Sequence, residues 1–243
     1  MKYKNAPIRE AVFDIKVSNP NTKGASDLLA IKENVLSFLP VLVEKKNMFN
    51  QINFSIDPNV PPTSTSQSNH VGYIFKSTDD LRQLQVNVDG ITFNILKPYE
   101  EWETHFDFFF KIWKLYNSNF QPQSIIKFST RFINRLEIPK SVVDLEEYLN
   151  YLPKIPSNLP QGFNSFFVNI NVPLDQNRIV IINETIEMAE QEYFPLILDI
   201  DVIQNVGSQL EDDVIYKNFS DIRVIKNDTF ENCITEKTRG LFI

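Results

Sequence analysis

Residues 84–96 read LQVNVDGITFNIL. On either side of Asp89-Gly90 the residues alternate apolar and polar, with Leu84, Val86, Ile91, Phe93 and Ile95 on one set and Gln85, Asn87, Thr92 and Asn94 on the other. That period of two belongs to strands with one covered face. Asp-Gly supplies the positive φ angles of a two-residue turn, so the stretch predicts a β-hairpin. A hairpin joins antiparallel strands, and an alternating strand hides only one of its faces.

The same alternation recurs outward from this hairpin. In APIREAVFDIKV (6–17), Ala11, Phe13, Ile15 and Val17 share one face while Glu10, Asp14 and Lys16 share the other. NQINFSID (50–57) and HVGYIFKS (70–77) read as strands. Between them PNVPPTSTSQSN (58–69) carries three prolines and no apolar anchor, and reads as a mobile loop. Lys45-Lys46 reads as a solvated basic pair between strands. Leu28, Leu29, Ile31, Val35, Leu36 and Leu39 recur at helical spacing from Ser26 until Pro40 stops them. Residues 101–120 form a second helix with two apolar stripes, Trp102, Phe106, Phe109, Trp113 and Tyr116 in one and Phe108, Ile112 and Leu115 in the other. So broad an apolar surface calls for cover by a sheet and another helix, or by a second copy of the chain.

From residue 121 the order begins again. SIIKFSTRFINRLEI (124–138) is a strand and SVVDLEEYLNYL (141–152) a helix with Ser141 as N-cap. Strands follow at 162–172, 177–187 and 195–203, and then a helical stretch carrying Ile215, Phe219, Ile222, Phe230, Cys233, Ile234 and Leu241. The fold class is therefore α+β: duplicated β-α-β-β-β-α units, 1–120 and 121–243, packed as one globular unit. They are expected to form a curved, largely antiparallel sheet with helices on one face. This order resembles the TATA-box-binding-protein type of topology, a likeness of fold that brings no function with it.

The outward residues are polar nearly throughout: Glu10, Asp14, Gln51, Asn53, Gln83, Gln85, Asn87, Thr92 and Asn94, then Arg131, Arg135, Asn169, Asn171, Asp199 and Asp201. Helices laid over such a face would strand polar groups at roughly 1–3 kcal/mol each. Glu10, Asp14, Arg131, Arg135, Asp199 and Asp201 are expected to make a cross-strand ladder of opposite charges, each exposed pair worth ~0.2–1 kcal/mol. The ladder is either a solvated surface or a docking surface for a polar ligand or a protein.

Composition narrows the chemistry. With 24 basic against 31 acidic residues and a net charge of −7, a sequence-independent grip on nucleic-acid phosphates is not expected. One cysteine, Cys233, allows no internal disulfide and reads as a small core residue; with His70 and His105 it supplies too few ligands for zinc. Neither histidine sits beside a nucleophile motif, and His105 in its aromatic helix reads as a surface or satisfied interior residue. Asp199 and Asp201 with Glu10 or Asp14 would suit a divalent cation, but Arg131 and Arg135 beside them would repel it. Six scattered glycines make no phosphate loop. The chain is therefore expected to be no enzyme and to carry no metal or cofactor. MKYKNAPIRE lacks the apolar segment of a secretory leader and no run of about 18 apolar residues occurs, so a soluble cytoplasmic protein without membrane contact is expected.

APIREAVFDI, DDLRQLQVNVDG, KPYEEWETHF, TRFINRLEIP, LEEYL, LDIDV and FENCITEKTRGLF occur in this order from one end of the chain to the other. In these segments it resembles a sporadically distributed bacterial family of this length, with a P-I-x-E-A-V-F start, an R-[YF]-I-N-R strand and an F-E-x-x-I-T end. Ala6 and Lys127 stand where members often carry proline and arginine. The resemblance implies a bacterial accessory protein of mobile or defence-related loci, with a protein partner from a neighbouring gene, and brings no activity. It adds Asn134 to the candidate binding residues, because Glu10, Arg131, Asn134, Arg135, Asp199 and Asp201 lie inside the shared motifs. The expectation is a non-enzymatic interaction module engaging a protein. A small-molecule or nucleotide sensor with a pocket between sheet and helices is the alternative, and nucleic-acid binding through the curved sheet the weaker one.

Overall fold

In a computed structural model the described residues are 3–18, 20, 21, 24–54, 56, 61–140, 144–162, 164–187 and 192–243. Among them nine strands make one antiparallel sheet: β1 (Ile8–Ser18), β2 (Val41–Asn53), β3 (Thr63–Lys76), β4 (Arg82–Asn87), β5 (Gly90–Leu96), β6 (Ser124–Pro139), β7 (Phe167–Pro173), β8 (Arg178–Ile186) and β9 (Tyr193–Ser208). Their order is β2-β3-β4-β5-β1-β6-β9-β8-β7. Four α-helices accompany them, α1 (Lys32–Leu36), α2 (Trp102–Phe120), α3 (Asp212–Cys233) and α4 (Glu236–Arg239). The class is α+β, as the alternation predicts. No helix among the described residues is long and apolar enough to cross a membrane.

β1 behaves as its sequence dictates: Ala11, Phe13, Ile15 and Val17 are buried, and Phe13 packs its ring against Trp102 and Phe109 of α2 at 4.8 and 5.6 Å. On β6, Phe128 stacks on Phe219 of α3 at 4.9 Å, and Phe106 of α2 meets the same Phe219 at 5.0 Å. Both long helices therefore lie on the sheet face that carries Phe13 and Phe128; the first stripe of α2 meets the sheet and α3, and Phe108 of the second meets Phe93 of β5 and Phe38 after α1.

The β4–β5 hairpin forms, with its turn one residue earlier than Asp-Gly implies. Asn87 pairs with Gly90, so Val88 and Asp89 make the loop and the positive φ falls on Gly90, at +135°. The glycine is required for a second reason. A Cβ there would stand 2.0 Å from the Ile15 carbonyl oxygen, because β1 runs past at close range.

Four local expectations are corrected. Residues 63–69 are no loop but the start of β3, paired from Asn53↔Thr63 to Asn47↔Asn69; residues 58–60 lie outside the described residues. β2 begins at Val41 rather than near residue 50, and Lys45 and Lys46 sit inside it. This hairpin stands almost fully exposed, so its ladder rests on backbone hydrogen bonds, which leave no burial pattern in sequence. The helix from Ser26 splits into a 3-10 segment, Ala25–Ile31, and the short α1. Over the described residues 144–152 the expected helix is replaced by a 3-10 turn, Leu145–Glu147, capped by the Asp144 carboxylate accepting from the Glu146 N–H, and an isolated bridge Leu149↔Ile234; Ser141 lies outside the described residues.

Candidate functional site

The outer sheet face is polar, but its groups answer one another. Arg131 donates through Nε and Nη2 to both carboxylate oxygens of Asp199, at 2.8 and 2.7 Å, and Asn183 donates to the same carboxylate at 3.0 Å. Glu10 accepts from Asn94 at 2.7 Å and Asp14 from Thr92 at 2.5 Å. Asn94 in turn accepts from Gln85, which accepts from Lys45.

The expected charge ladder is corrected accordingly. In register Arg131 stands opposite Val12, not opposite Glu10 or Asp14, so those carboxylates pair with the amide and hydroxyl on β5 instead. Arg135 points to Glu137 and Glu187, at 2.6 and 3.3 Å. Asp201 is no exposed pair: its Oδ1 is buried without a partner, and burial pushes its carboxyl up to about 6 against the pull of Arg131. Asn134 is on the other face altogether. It pairs with Leu198, beside the Phe132↔Ile200 and Leu136↔Leu196 positions that face the helices, and its Nδ2 donates to the Leu198 carbonyl at 3.0 Å. No group of three His, Cys, Asp or Glu that could hold a metal ion occurs among the described residues.

Asn134 leads to the cavity. About 1490 Å³ of space opens where β1 and β6 meet the first turn of α2, the second half of α3 and the N-terminal segment 3–9. Its wall includes Phe132, Asn134, Tyr99, Trp102, Arg223 and Lys226. Phe132 and Trp102 stack at 6.3 Å with 15° between planes, and Tyr99 meets Phe132 edge-on at 5.4 Å. At the rim Arg9 and Arg135 both donate to Glu187. Tyr3 closes one end, its hydroxyl donating to Glu231 at 2.9 Å and its ring against Phe242.

Lys226 is the unusual member of this wall. It is 8% exposed, and its Nζ lies 3.7 Å from the centroid of the Phe132 ring. No hydrogen bond or ion pair reaches it among the described residues. Arg223, three residues earlier on the same helix face, is held by Glu103 at 2.7 Å and lies over Trp102 at 4.9 Å. Burial, then the neighbouring Arg223 charge, lowers the Lys226 ammonium to about 7. The Tyr99 hydroxyl is also buried without a partner, and burial pushes its pKa up. Desolvation of this kind disfavours a charged form with nothing opposite it.

Two further buried polar groups lie off the cavity. Glu184 on β8, 1% exposed and paired with Leu198, has an unpartnered Oε2, and burial raises its carboxyl to about 7. His105 is interior, as one of its two readings had it, yet its Nε2 is unpartnered and burial lowers its pKa. Cys233 packs against the core, and its thiol is pushed up to about 12, first by burial and then by Glu184, as befits an inert side chain.

Of the seven candidate residues, Glu10, Asp14, Arg131, Asp199 and Asp201 share the outer face, Arg135 reaches the cavity rim and Asn134 the cavity wall. Lys226 was legible and missed. The apolar stripe Ile215, Phe219, Ile222, Phe230 skips one helical step, and position 226 fills it. No protein-family model, no curated protein and no solved structure matches the chain.

Proposed function

We propose that this protein is a non-enzymatic binding module whose cavity takes a small anionic ligand. One observation carries the reading: a buried lysine lines a large cavity and makes no ion pair among the described residues. An unpaired ammonium taken out of water costs several kcal/mol, and a ligand anion beside it would recover much of that. The rings of Phe132 and Trp102, 1% and 5% exposed, back the wall behind Lys226 and Arg223. A mostly apolar concavity with a few convergent polar groups is the usual form of a ligand site. This is the sensor alternative of the sequence reading, preferred now because Glu10, Asp14, Arg131 and Asp199 on the outer face already hold hydrogen-bond partners.

The test is thermal unfolding of the full chain at pH 6.5 against aromatic carboxylates and nucleoside monophosphates. At least one class should raise the midpoint of the native protein, and Lys226→Met should cut that response at least tenfold in ligand concentration. No response from either class overturns the reading.

The protein-partner reading keeps one observation of its own. On the edge strand β2, Met48 and Ile52 share one face at 68% and 57% exposed and Phe49 stands on the other at 58%, exposed apolar side chains on a sheet edge of the kind that partners cover. Nucleic acid draws no such support, since Lys127 and Arg131 share the outer face with Glu10, Asp14, Asp199 and Asp201.

The duplication belongs to this proposal as well. In each half the first strand lies beside the last, β1 beside β5 and β6 beside β9, and β1 meets β6 antiparallel in mid-sheet. That order supports two units, 1–120 and 121–243, joined about an axis between β1 and β6 in the TATA-box-binding-protein manner, with the cavity at one end of the junction. A bacterial, cytoplasmic, accessory-locus setting rests on the family resemblance alone.

A further inference from the structure

We propose that Lys226 is a covalent attachment point, forming a reversible imine with an aldehyde or ketone that carries an anionic group. The inference rests on the ligand reading above and names the chemistry of the ligand. It begins from placement. Lys226 is at the cavity wall, its Nζ 3.7 Å from the Phe132 ring centroid, with no hydrogen bond or ion pair among the described residues and the ring face as its contact. Arg223 precedes it by three residues on α3 and carries a second positive charge along the same wall. An amine that is desolvated and set beside another cation is the arrangement that turns lysine from a cation into a nucleophile. The lowered Lys226 pKa, about 7, agrees with that placement, because a large fraction of the amine is then unprotonated at neutral pH.

The chemistry balances without any oxidant or reductant. The nitrogen lone pair attacks the carbonyl carbon as the C=O π pair moves to oxygen, which gains a proton while the nitrogen loses one. The carbinolamine then expels water and leaves a C=N bond, and addition of water reverses both steps. Exposed lysines such as Lys46 and Lys217, each ion-paired and in water, lack this activation.

The experiment uses the full chain with 4-carboxybenzaldehyde and cyanoborohydride at pH 7, read by intact mass and peptide mapping. The reductant delivers hydride to the imine carbon and fixes the adduct as a secondary amine. One adduct is expected, at Lys226, forming at least tenfold faster than at any exposed lysine and slowed by benzoate, which has no carbonyl to react. Lys226→Arg, which keeps the charge and has no nucleophilic amine, should lose the adduct; Lys226→Met provides a control whose apolar side chain suits the buried site. Labelling spread evenly over the lysines, or unchanged in both variants, overturns the inference. Benzoate binding without trapping overturns the covalent step and leaves the ligand reading standing. Neither binding nor trapping overturns both.

Discussion

The two faces of the sheet spend polar residues in opposite ways. On the outer face the Asp199 carboxylate, with a side chain 6% exposed, receives a bidentate arginine and an amide, and Glu10 and Asp14 each receive a neutral donor. On the helix face Lys226, 8% exposed, lies over the Phe132 ring at the cavity wall with no ion pair among the described residues, and the buried Tyr99 hydroxyl behind it has no hydrogen-bond partner. Apart from the buried, unpartnered Asp201 Oδ1, the outer-face carboxylates have little left to offer a ligand, because new contacts must first break existing ones. An unsaturated polar wall gains from whatever completes it. The difference teaches that a count of charged residues is a poor guide to a binding site, and that the informative quantity is charge without an answer.

The largest expected effect tests that difference directly. Lys226→Met removes a buried cation and keeps the volume, so the variant should be more stable at neutral pH by ~1–4 kcal/mol, in line with other buried ions replaced by apolar groups. The pH course fixes the cause. Below about 7 the amine is charged in both folded and unfolded chains and the burial cost is fully present; between there and its ordinary 10.5 only the unfolded chain holds the proton. Stability contributed by a lowered lysine therefore rises with pH across that window, by up to ~1.4 kcal/mol per unit. Urea unfolding at pH 6, 8 and 10 should show the advantage of the variant shrinking as pH rises. A variant less stable than the native chain at every pH would mean that Lys226 is answered, and the contrast between the faces would fail.

A smaller effect, opposite in sign, is expected on the outer face. Arg131→Ala leaves the buried Asp199 carboxylate with Asn183 alone, so it should cost about 1–3 kcal/mol in the same measurement. No gain below neutral pH is expected. A stabilised Arg131→Ala chain would show that outer-face pairing is no better than the unpaired lysine inside.

Much of this arrangement is legible in sequence wherever burial imposes a period. Phe13, Phe93 and Phe132 declare the covered face by alternation, and the skipped step between Ile222 and Phe230 marks 226 as an interior position. The β2–β3 hairpin is not legible, because Thr63–Asn69 pairs through backbone and buries nothing. Partner choice is not legible either. Alternation places Arg131 and Asp14 on one face, but a register in which Arg131 opposes Val12 decides that Asp14 takes Thr92. Asn134 shows the limit most clearly: a polar residue inside a motif reads as surface, whereas its position in the strand, even with Phe132 and Leu136, places it beneath the helices.

Arg135 stands between the two faces and should give the smallest effect. Its guanidinium is shared between Glu137 and Glu187, whose side chains are half and more than one-third exposed, so both carboxylates can return to water when it is removed. Glu187 also keeps its 2.6 Å bond from Arg9. Exposed pairs of this kind are worth at most ~1 kcal/mol, and Arg135→Ala should fall within that in urea unfolding. Its position at the cavity rim adds a second reading of the same variant. A rim cation screened by two carboxylates should change the concentration of aromatic carboxylate or nucleotide needed for half-maximal stabilisation by less than tenfold, while Lys226→Met changes it by more. If Arg135→Ala instead abolishes ligand stabilisation with the unfolding midpoint unmoved, the anion is read at the rim. The unanswered charge at Lys226 would then be a feature of packing alone.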